Sequence, residues 1–459
     1  MLKTKIQSST LLLTSILYFV VGVLCLINPK QIVTLLYYIL SYGFILISIF
    51  NFLSATFVRK TKKQKQASYL ESVVIFIFGF WVLINPQNLF SILPYIISAW
   101  GFINVLIRLI NWYVYFSDRL IGTFRIAIEA VILTIFSILL LIRPITQAKF
   151  VIYIIGAYFI FYGFTYLQDF YNQMFQKEIK HKRKMALPIF MNALLPQRLV
   201  LYINKKLTEQ PNEHSFLSIN PTNEKSDIEI FIHLGDKGFD SVGHVDIAFG
   251  DIVISYGNHD SHSTILRGAV GDGVIYFAER SSYLKMIVDK FNRSIIAFGI
   301  KLTQDEKIRV KKQLLSLANR FTPWLSDQQK SDLGYSVDST QNYASSLTRY
   351  IQPKFYKFTH GKFKTYFIMT TNCVLLADTI VGKSSIDLIA IDGMITPGTY
   401  YDFLNSEFQV EHSIVISRTI YNSYTIDELV INEDMKKIIN AIDDPIAFIN
   451  SFIFSDVSL

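Results

Sequence analysis

Two side chains in this sequence have the type and setting for acyl-group chemistry. Cys373 stands in Thr370-Thr371-Asn372-Cys373-Val374-Leu375-Leu376-Ala377-Asp378, where a polar turn gives way to an apolar run that predicts a helix start. A thiol at a helix N-terminus feels the positive end of the helix dipole, which favours the thiolate, the nucleophilic form. The other cysteine, Cys25, lies in an apolar segment, so Cys373 has no disulfide partner to expect. His244 heads Gly243-His244-Val245-Asp246-Ile247-Ala248-Phe249-Gly250, a strand pattern that runs into a turn at Gly250-Asp251 and returns over Ile252–Tyr256. An imidazole beside the thiol would take its proton and later return it to a leaving group. The backbone N–H of Cys373 would form part of an oxyanion site. A third polar group must hold the ring in one tautomer.

These residues need elements to position them. From Asp227 onward the pattern becomes short alternating runs broken by Gly and Asp, which predicts strands and turns. Strands are expected at 228–233, 243–250, 252–257, 273–278, 295–302, 363–369, 387–391 and 413–418, and helices at about 339–350 and 373–381. Thr303-Gln304-Asp305-Glu306 is a capping box opening a helix to about Asn319, and Thr425-Ile426-Asp427-Glu428 is a second, opening a helix to about 441.

A histidine-headed strand, a hairpin, and later a cysteine opening a helix after a strand resemble the permuted papain-fold cysteine hydrolases. These are the NlpC-like and YiiX-like proteins and the lecithin retinol acyltransferase relatives. The resemblance spans about residues 228–405 and rests on Gly243-His244-Val245-x-Ile247 and Asn372-Cys373. It implies a nucleophile at Cys373 and a base at His244. The family's third member comes from the strand after the histidine; here the matching region is Ser255-Tyr256-Gly257-Asn258-His259. Tyr256 stands at the usual offset, and Asn258 or His259 would serve if the strand bulges.

Other polar groups have plainer readings. Asn258-His259-Asp260-Ser261-His262 reads as a solvated loop and not as a metal site. Gly268–Gly273 lacks the lysine of a phosphate loop and reads as a hairpin turn. Tyr343, Tyr350, Tyr356 and Tyr366 read as packing, and Gly398-Thr399-Tyr400-Tyr401 as a cleft lining. No metal and no cofactor is expected.

The first half differs in kind. Of 459 residues, 51% are hydrophobic and 17% charged, with mean hydropathy +0.33. All eight histidines follow residue 180, and the long apolar runs all precede it. Stretches near membrane-spanning length run about 8–28, 32–57, 68–85, 88–112, 122–142 and 149–170. They repeat. Leu26-Ile27-Asn28-Pro29 recurs as Leu83-Ile84-Asn85-Pro86 and Leu141-Ile142-Arg143-Pro144, with the prolines 57 and 58 residues apart. Nine residues after each stands Tyr38, Tyr95 or Tyr153; fifteen before stands Thr14, Glu71 or Glu129. Three hairpins follow, each turning at its proline. Glu71 and Glu129 read as interfacial carboxylates, Glu129 one helical turn from Arg125. This half resembles the short-repeat acid-resistance (HdeD-like) membrane family over about residues 8–172, which implies a membrane scaffold.

The fold class expected is therefore multidomain. Residues 1–172 form an all-α six-helix membrane domain, 173–226 a basic interfacial segment and linker, and 227–459 an α+β permuted papain-like domain. The first apolar run has no small-residue cleavage site and reads as a retained helix. Within the linker, Met185–Leu207 reads as an interfacial helix and Glu209–Asp227 as a flexible connector. Lys3 and Lys5, then Arg59–Lys65, Arg108–Arg125 and Lys177–Lys184, lie at one set of helix ends, against only Lys30, Arg143 and Lys149 at the other. Both termini are thus expected in the cytoplasm of a multi-pass cell-membrane protein. The net charge of +8 sits beside apolar runs without aromatic interleaving, which argues against nucleic acid. Expected partners are the lipid bilayer, a peptide, protein side chain or lipid as substrate, and further copies of the chain through the membrane helices. The competing expectation is a membrane stress sensor or scaffold whose papain-like domain binds a ligand without catalysis.

Overall fold

The computed structural model describes residues 2–57, 62–142, 144–175, 184–186, 218–219, 224–234, 243–291, 293–382, 388–390, 396–409, 413–423 and 425–457. The chain divides into two compact units. One holds Met1–Trp112 and Gly122–Met174, and the other Tyr113–Ile121 and Phe175–Leu459.

The first unit is built from α1 (Leu2–Ile27), α2 (Pro29–Phe57), α3 (Lys62–Ile84), α4 (Pro86–Ser117), α5 (Thr123–Ile142) and α6 (Pro144–Phe175). Within these, Pro29–Thr56, Pro94–Ser117 and Thr123–Ile142 are long and apolar enough to cross a bilayer, which makes this a multi-pass membrane protein. Leu11–Ile27, Ser68–Ile84 and Ile152–Gln168 are apolar but shorter. Six runs of spanning length were expected, and three are of that length among the described residues.

The repeat prolines do not close hairpins by tight turns. Each stands at the first position of the return helix, where its missing N–H costs nothing, and a single residue separates α1 from α2 and α3 from α4. Close packing lies elsewhere. Gly22 of α1 sits against Gly156 of α6, where an added Cβ would meet the Gly156 carbonyl oxygen at 2.8 Å, and Ser15 Oγ donates to Gly163 O at 2.8 Å. Ser48 Oγ of α2 donates to Ser72 O of α3 at 2.7 Å, and Ser98 Oγ of α4 to Ser137 O of α5 at 2.7 Å. Small residues let these backbones approach where no hydrophobic force drives helices together. Glu129 of α5 is paired with Arg108 of α4 at 2.6 Å and Arg125 at 3.2 Å.

In the second unit the strands are β1 (Lys184–Ala186), β2 (Ser218–Ile219), β3 (Ile228–Leu234), β4 (His244–Phe249), β5 (Ile252–Gly257), β6 (Val270–Asp272), β7 (Val274–Glu279), β8 (Ser294–Ile300), β9 (Phe321–Pro323), β10 (Lys354–Phe358), β11 (Thr365–Phe367), β12 (Leu388–Ala390) and β13 (Val415–Tyr421). The helices are α7 (Arg280–Asp289), α8 (Gln304–Ala318), α9 (Asp327–Asp332), α10 (Tyr343–Ile351), α11 (Cys373–Val381), α12 (Pro397–Phe408), α13 (Glu433–Asn440) and α14 (Pro445–Phe452). Nine strands form one antiparallel sheet in the order β2-β13-β8-β3-β4-β5-β7-β10-β9. Strand alternation sends Val245, Ile247, Ile254 and Tyr256 to the face covered by α8, α11, α12 and α14. Phe231, Ala248 and Val253 go to the other face, covered by α7 and α10. The unit is α+β, with helices on both faces of the sheet.

Two local expectations fail. The Thr425 side chain makes no cap bond; Ile426–Glu428 is a single 3₁₀ turn, and the helix begins only after Asn432, whose side chain accepts from Met435 N. Thr425 Oγ1 instead donates to Ile420 O at 3.1 Å, tying the turn to β13. Within the segments expected as interfacial helix and connector, β1 pairs in parallel with β12 and β2 pairs with β13. The rest of Met185–Leu207, and most of Glu209–Asp227, lies outside the described residues.

Candidate functional site

Asn372 caps α11 as the sequence predicts. Its side-chain oxygen accepts from Leu375 N at 3.0 Å, and its Nδ2 donates to Ile368 O at 2.8 Å. Cys373 is thereby the first residue of the helix. The preceding turn is anchored to the sheet by Tyr256, whose hydroxyl donates to Phe363 O at 3.0 Å and reaches Thr371 O at 3.4 Å. Burial pushes the Tyr256 hydroxyl well above its ordinary range, so it remains a donor.

His244 lies at the start of β4, after Gly243 at φ +85°, where a Cβ would meet His233 O at 2.9 Å and Pro397 at 3.0 Å. Only glycine fits both the left-handed backbone and the close approach. The Cys373 side chain is near enough to the His244 ring to influence its charge. Burial opposes charge on this ring. Cys373 first, then Asp246, overcome that cost and raise His244 well above the usual histidine value. Both free cysteines are buried. Cys373 is only 4% exposed and packs in the apolar cluster on its face of the sheet, whereas the His244 side chain keeps 22% exposure.

The ring's other contacts differ from those expected. Nε2 of His244 meets Ser255 Oγ at 3.2 Å and Asp246 Oδ1 at 3.0 Å. The carboxylate oxygen lies off the direction of a well-aligned hydrogen bond, so the serine contact is the directional one and the aspartate contact is one of charge. Asp246 is fully buried, and its Oδ2 lies 2.6 Å from His233 Nε2 and accepts from the Tyr283 hydroxyl. Tyr256 is not the ring's partner. The turn at Gly250-Asp251 pairs Ile247 with Ile254, so Ser255 falls on the face of Asp246 and His244, while Tyr256 falls on the opposite face. Asn258 does not reach the ring either; its Nδ2 donates to Gly268 O at 3.2 Å and Val270 O at 3.3 Å, bracing the next turn.

The segment expected as a solvated loop is tied down. His259 stacks on Tyr343 and tilts against Tyr276, and burial, with the nearby charge of His244, lowers it to about 3. Asp260 is paired with Lys357 at 2.6 Å, and His262 with Asp327 at 3.1 Å. Among the described residues no cluster of metal-ligating side chains is present. Tyr356 and Tyr366 are buried, as packing requires, and Gly398–Tyr400 are buried in α12.

Asp246, His233, Ser255 and Tyr283 were missed. The period-two spacing of His244 and Asp246 was the available signal for one of them, since i and i+2 share a strand face. His233 is directly opposite His244 across β3 and β4, a register that no local pattern announces.

A family described as a short repeat of unknown function (DUF308) matches residues 13–84 and 128–189. The chain is similar to that family over these two stretches, which agrees with an N-terminal repeated membrane region, and the α+β unit from Ile228 on lies outside them. No curated protein and no solved structure matches the chain.

Proposed function

We propose that this protein is a membrane-anchored cysteine hydrolase or acyltransferase, with Cys373 as nucleophile and His244 as base. The observation that carries the reading is Cys373 at the first position of a helix capped by Asn372, with the charge of its side chain felt by a histidine from a separate strand. His244 takes the thiol proton, and sulfur attacks the carbonyl carbon of an amide or ester. The carbon–sulfur bond forms as the bond to the leaving group breaks, and His244 returns the proton to the leaving group. Water or another acceptor then attacks the thioester and frees the sulfur. The Cys373 N–H, at the helix start, is placed to stabilise the oxyanion. The resemblance to permuted papain-fold hydrolases supports this assignment.

The same reading takes 1–172 as six crossing helices in three repeats, 173–226 as a basic linker, and 227–459 as a cytosolic domain, because Lys and Arg favour the ends that share a side with the termini. Copies of the chain would associate through the membrane helices.

A second reading has one observation in its favour. Cys373 is nearly sealed in apolar packing, which suits a ligand-binding sensor that keeps the fold without the chemistry. An acylating, thiol-directed probe applied to the full chain in lipid separates the two. Labelling is expected at Cys373, lost in Cys373→Ala and reduced about a hundredfold or more in His244→Ala, the low end of what a positioned base contributes. Labelling that persists in Cys373→Ala, or that ignores His244→Ala, leaves the sensor reading.

A further inference from the structure

We infer that Asp246 is the positioning residue of this site, and that His233 and Tyr283 hold its carboxylate so that it serves His244. The inference rests on the Cys373–His244 reading and extends it along the histidine's own strand and to two further elements. Asp246 sits between two imidazoles, with Oδ1 3.0 Å from His244 Nε2 and Oδ2 2.6 Å from His233 Nε2. The Tyr283 hydroxyl, from α7, donates to the same Oδ2.

The two histidines are not equivalent. His233 is buried, and burial lowers it despite the carboxylate, so it remains neutral at ordinary pH. A neutral ring has one N–H. The Nε2 atom faces Asp246, and Nδ1 is buried without a hydrogen-bond partner among the described residues. A stranded N–H donor is costlier than a stranded lone pair where the alternative proton position has an acceptor, so the proton belongs on Nε2. His233 thus donates to Oδ2 without cancelling the negative charge. Tyr283 does the same, since burial keeps its hydroxyl protonated. The carboxylate keeps its full charge, and the partner left to balance it is His244.

The groups facing His244 are Cys373 from α11, Asp246 on its own strand, His233 from β3, Ser255 from β5 and His259 from the segment after β5. Ser255 competes with Asp246 for the proton on Nε2. A hydroxyl can direct that proton, but it cannot stabilise the charged ring as a carboxylate does.

The test is the titration of His244 in the full-length protein, followed by carbon-13 NMR of ring-labelled histidine and assigned by loss of the signal in His244→Asn. Asp246→Asn is expected to lower the His244 midpoint by about one unit or more, the usual effect of an opposite charge at this range. Tyr283→Phe and His233→Gln, which leave the carboxylate in place, are expected to move it less and in the same direction. Ser255→Ala is expected to leave it nearly unchanged. An unchanged midpoint in folded Asp246→Asn overturns the inference, as does a Ser255→Ala shift larger than the Asp246→Asn shift. Should Asp246→Asn fail to fold, unchanged midpoints in both Tyr283→Phe and His233→Gln overturn it. None of these readouts depends on turnover, so failure of the probe experiment at Cys373 remains a separate result.

Discussion

At the scale of single residues, burial decides which histidine does what. His233, His244 and His259 all begin from the same intrinsic basicity. One is neutral beside a carboxylate, one has its basicity raised between a cysteine and a carboxylate, and one is stacked among tyrosines with its value lowered to about 3. The stability consequence for His259 has a definite sign. The unfolded chain takes up a proton near pH 6.5 and the folded one only near 3, so stability is lost as pH falls through that window, by up to ~1.4 kcal/mol per unit. His259→Phe keeps a ring for Tyr343 and Tyr276 and removes the titration. Its melting temperature is expected to fall less between pH 6.5 and 4 than that of the parent; equal acid sensitivity would show that His259 is not the group responsible. His244 works in the opposite direction. Its raised value adds stability that is complete below about pH 6.5 and is lost as pH rises through the folded value.

Elements turn these residues toward one another. The strand–turn–helix unit around Cys373 is held at both ends, by Tyr256 on the turn and by Asn372 on the first helical N–H groups. Asn372→Ala is expected to cost about 1 kcal/mol, the usual worth of such a cap. It is also expected to slow probe labelling of Cys373, as read by denaturant melts and labelling rates on one sample. Labelling at the parental rate would mean that the cap stabilises the helix without positioning the sulfur. The second capping-box sequence, at Thr425, shows how far such motifs can be trusted. Its side chain bonds back to Ile420 of β13 and leaves the helix start to Asn432. The motif supplies a possible bond, and a neighbouring strand supplied a competing one.

Over the whole molecule, the repeated half packs by one recurring device. Counted from the repeat prolines, Gly22 and Ser137 stand seven residues before, and Gly156 and Ser98 twelve after. Gly22 meets Gly156, and Ser98 bonds to Ser137 O. Counted the same way, Ser15 and Ser72 meet Gly163 and Ser48, so equivalent positions form equivalent contacts in different helix pairs. The first helix of one repeat therefore packs on the second helix of the preceding repeat, and α1 closes onto α6. Gly22→Leu is expected to destabilise by about 1–3 kcal/mol, an overpacking cost, measured as thermal melting in detergent. Gly43→Leu, where an added Cβ meets nothing within 4 Å, is the control. Equal effects from the two would show that the α1–α6 contact does not hold the unit together.

Much of this architecture was legible in the chain because its causes are local. Apolar length announced the helices of the first half. A fixed spacing of prolines and tyrosines announced the repeats. Alternation marked β3 to β5, and Asn372 marked the start of α11. What surrounds His244 was not legible. Whether Ser255 or Tyr256 faces the ring depends on the parity of a short turn. Whether His233 stands opposite it depends on the register of two strands. Whether the cysteine sulfur is exposed or enclosed depends on strands more than a hundred residues away in sequence and on the helices that fold over the same face. Hydrogen-bond caps and periodicity act over a few residues; charge, burial and register are properties of neighbours that only the folded chain brings together.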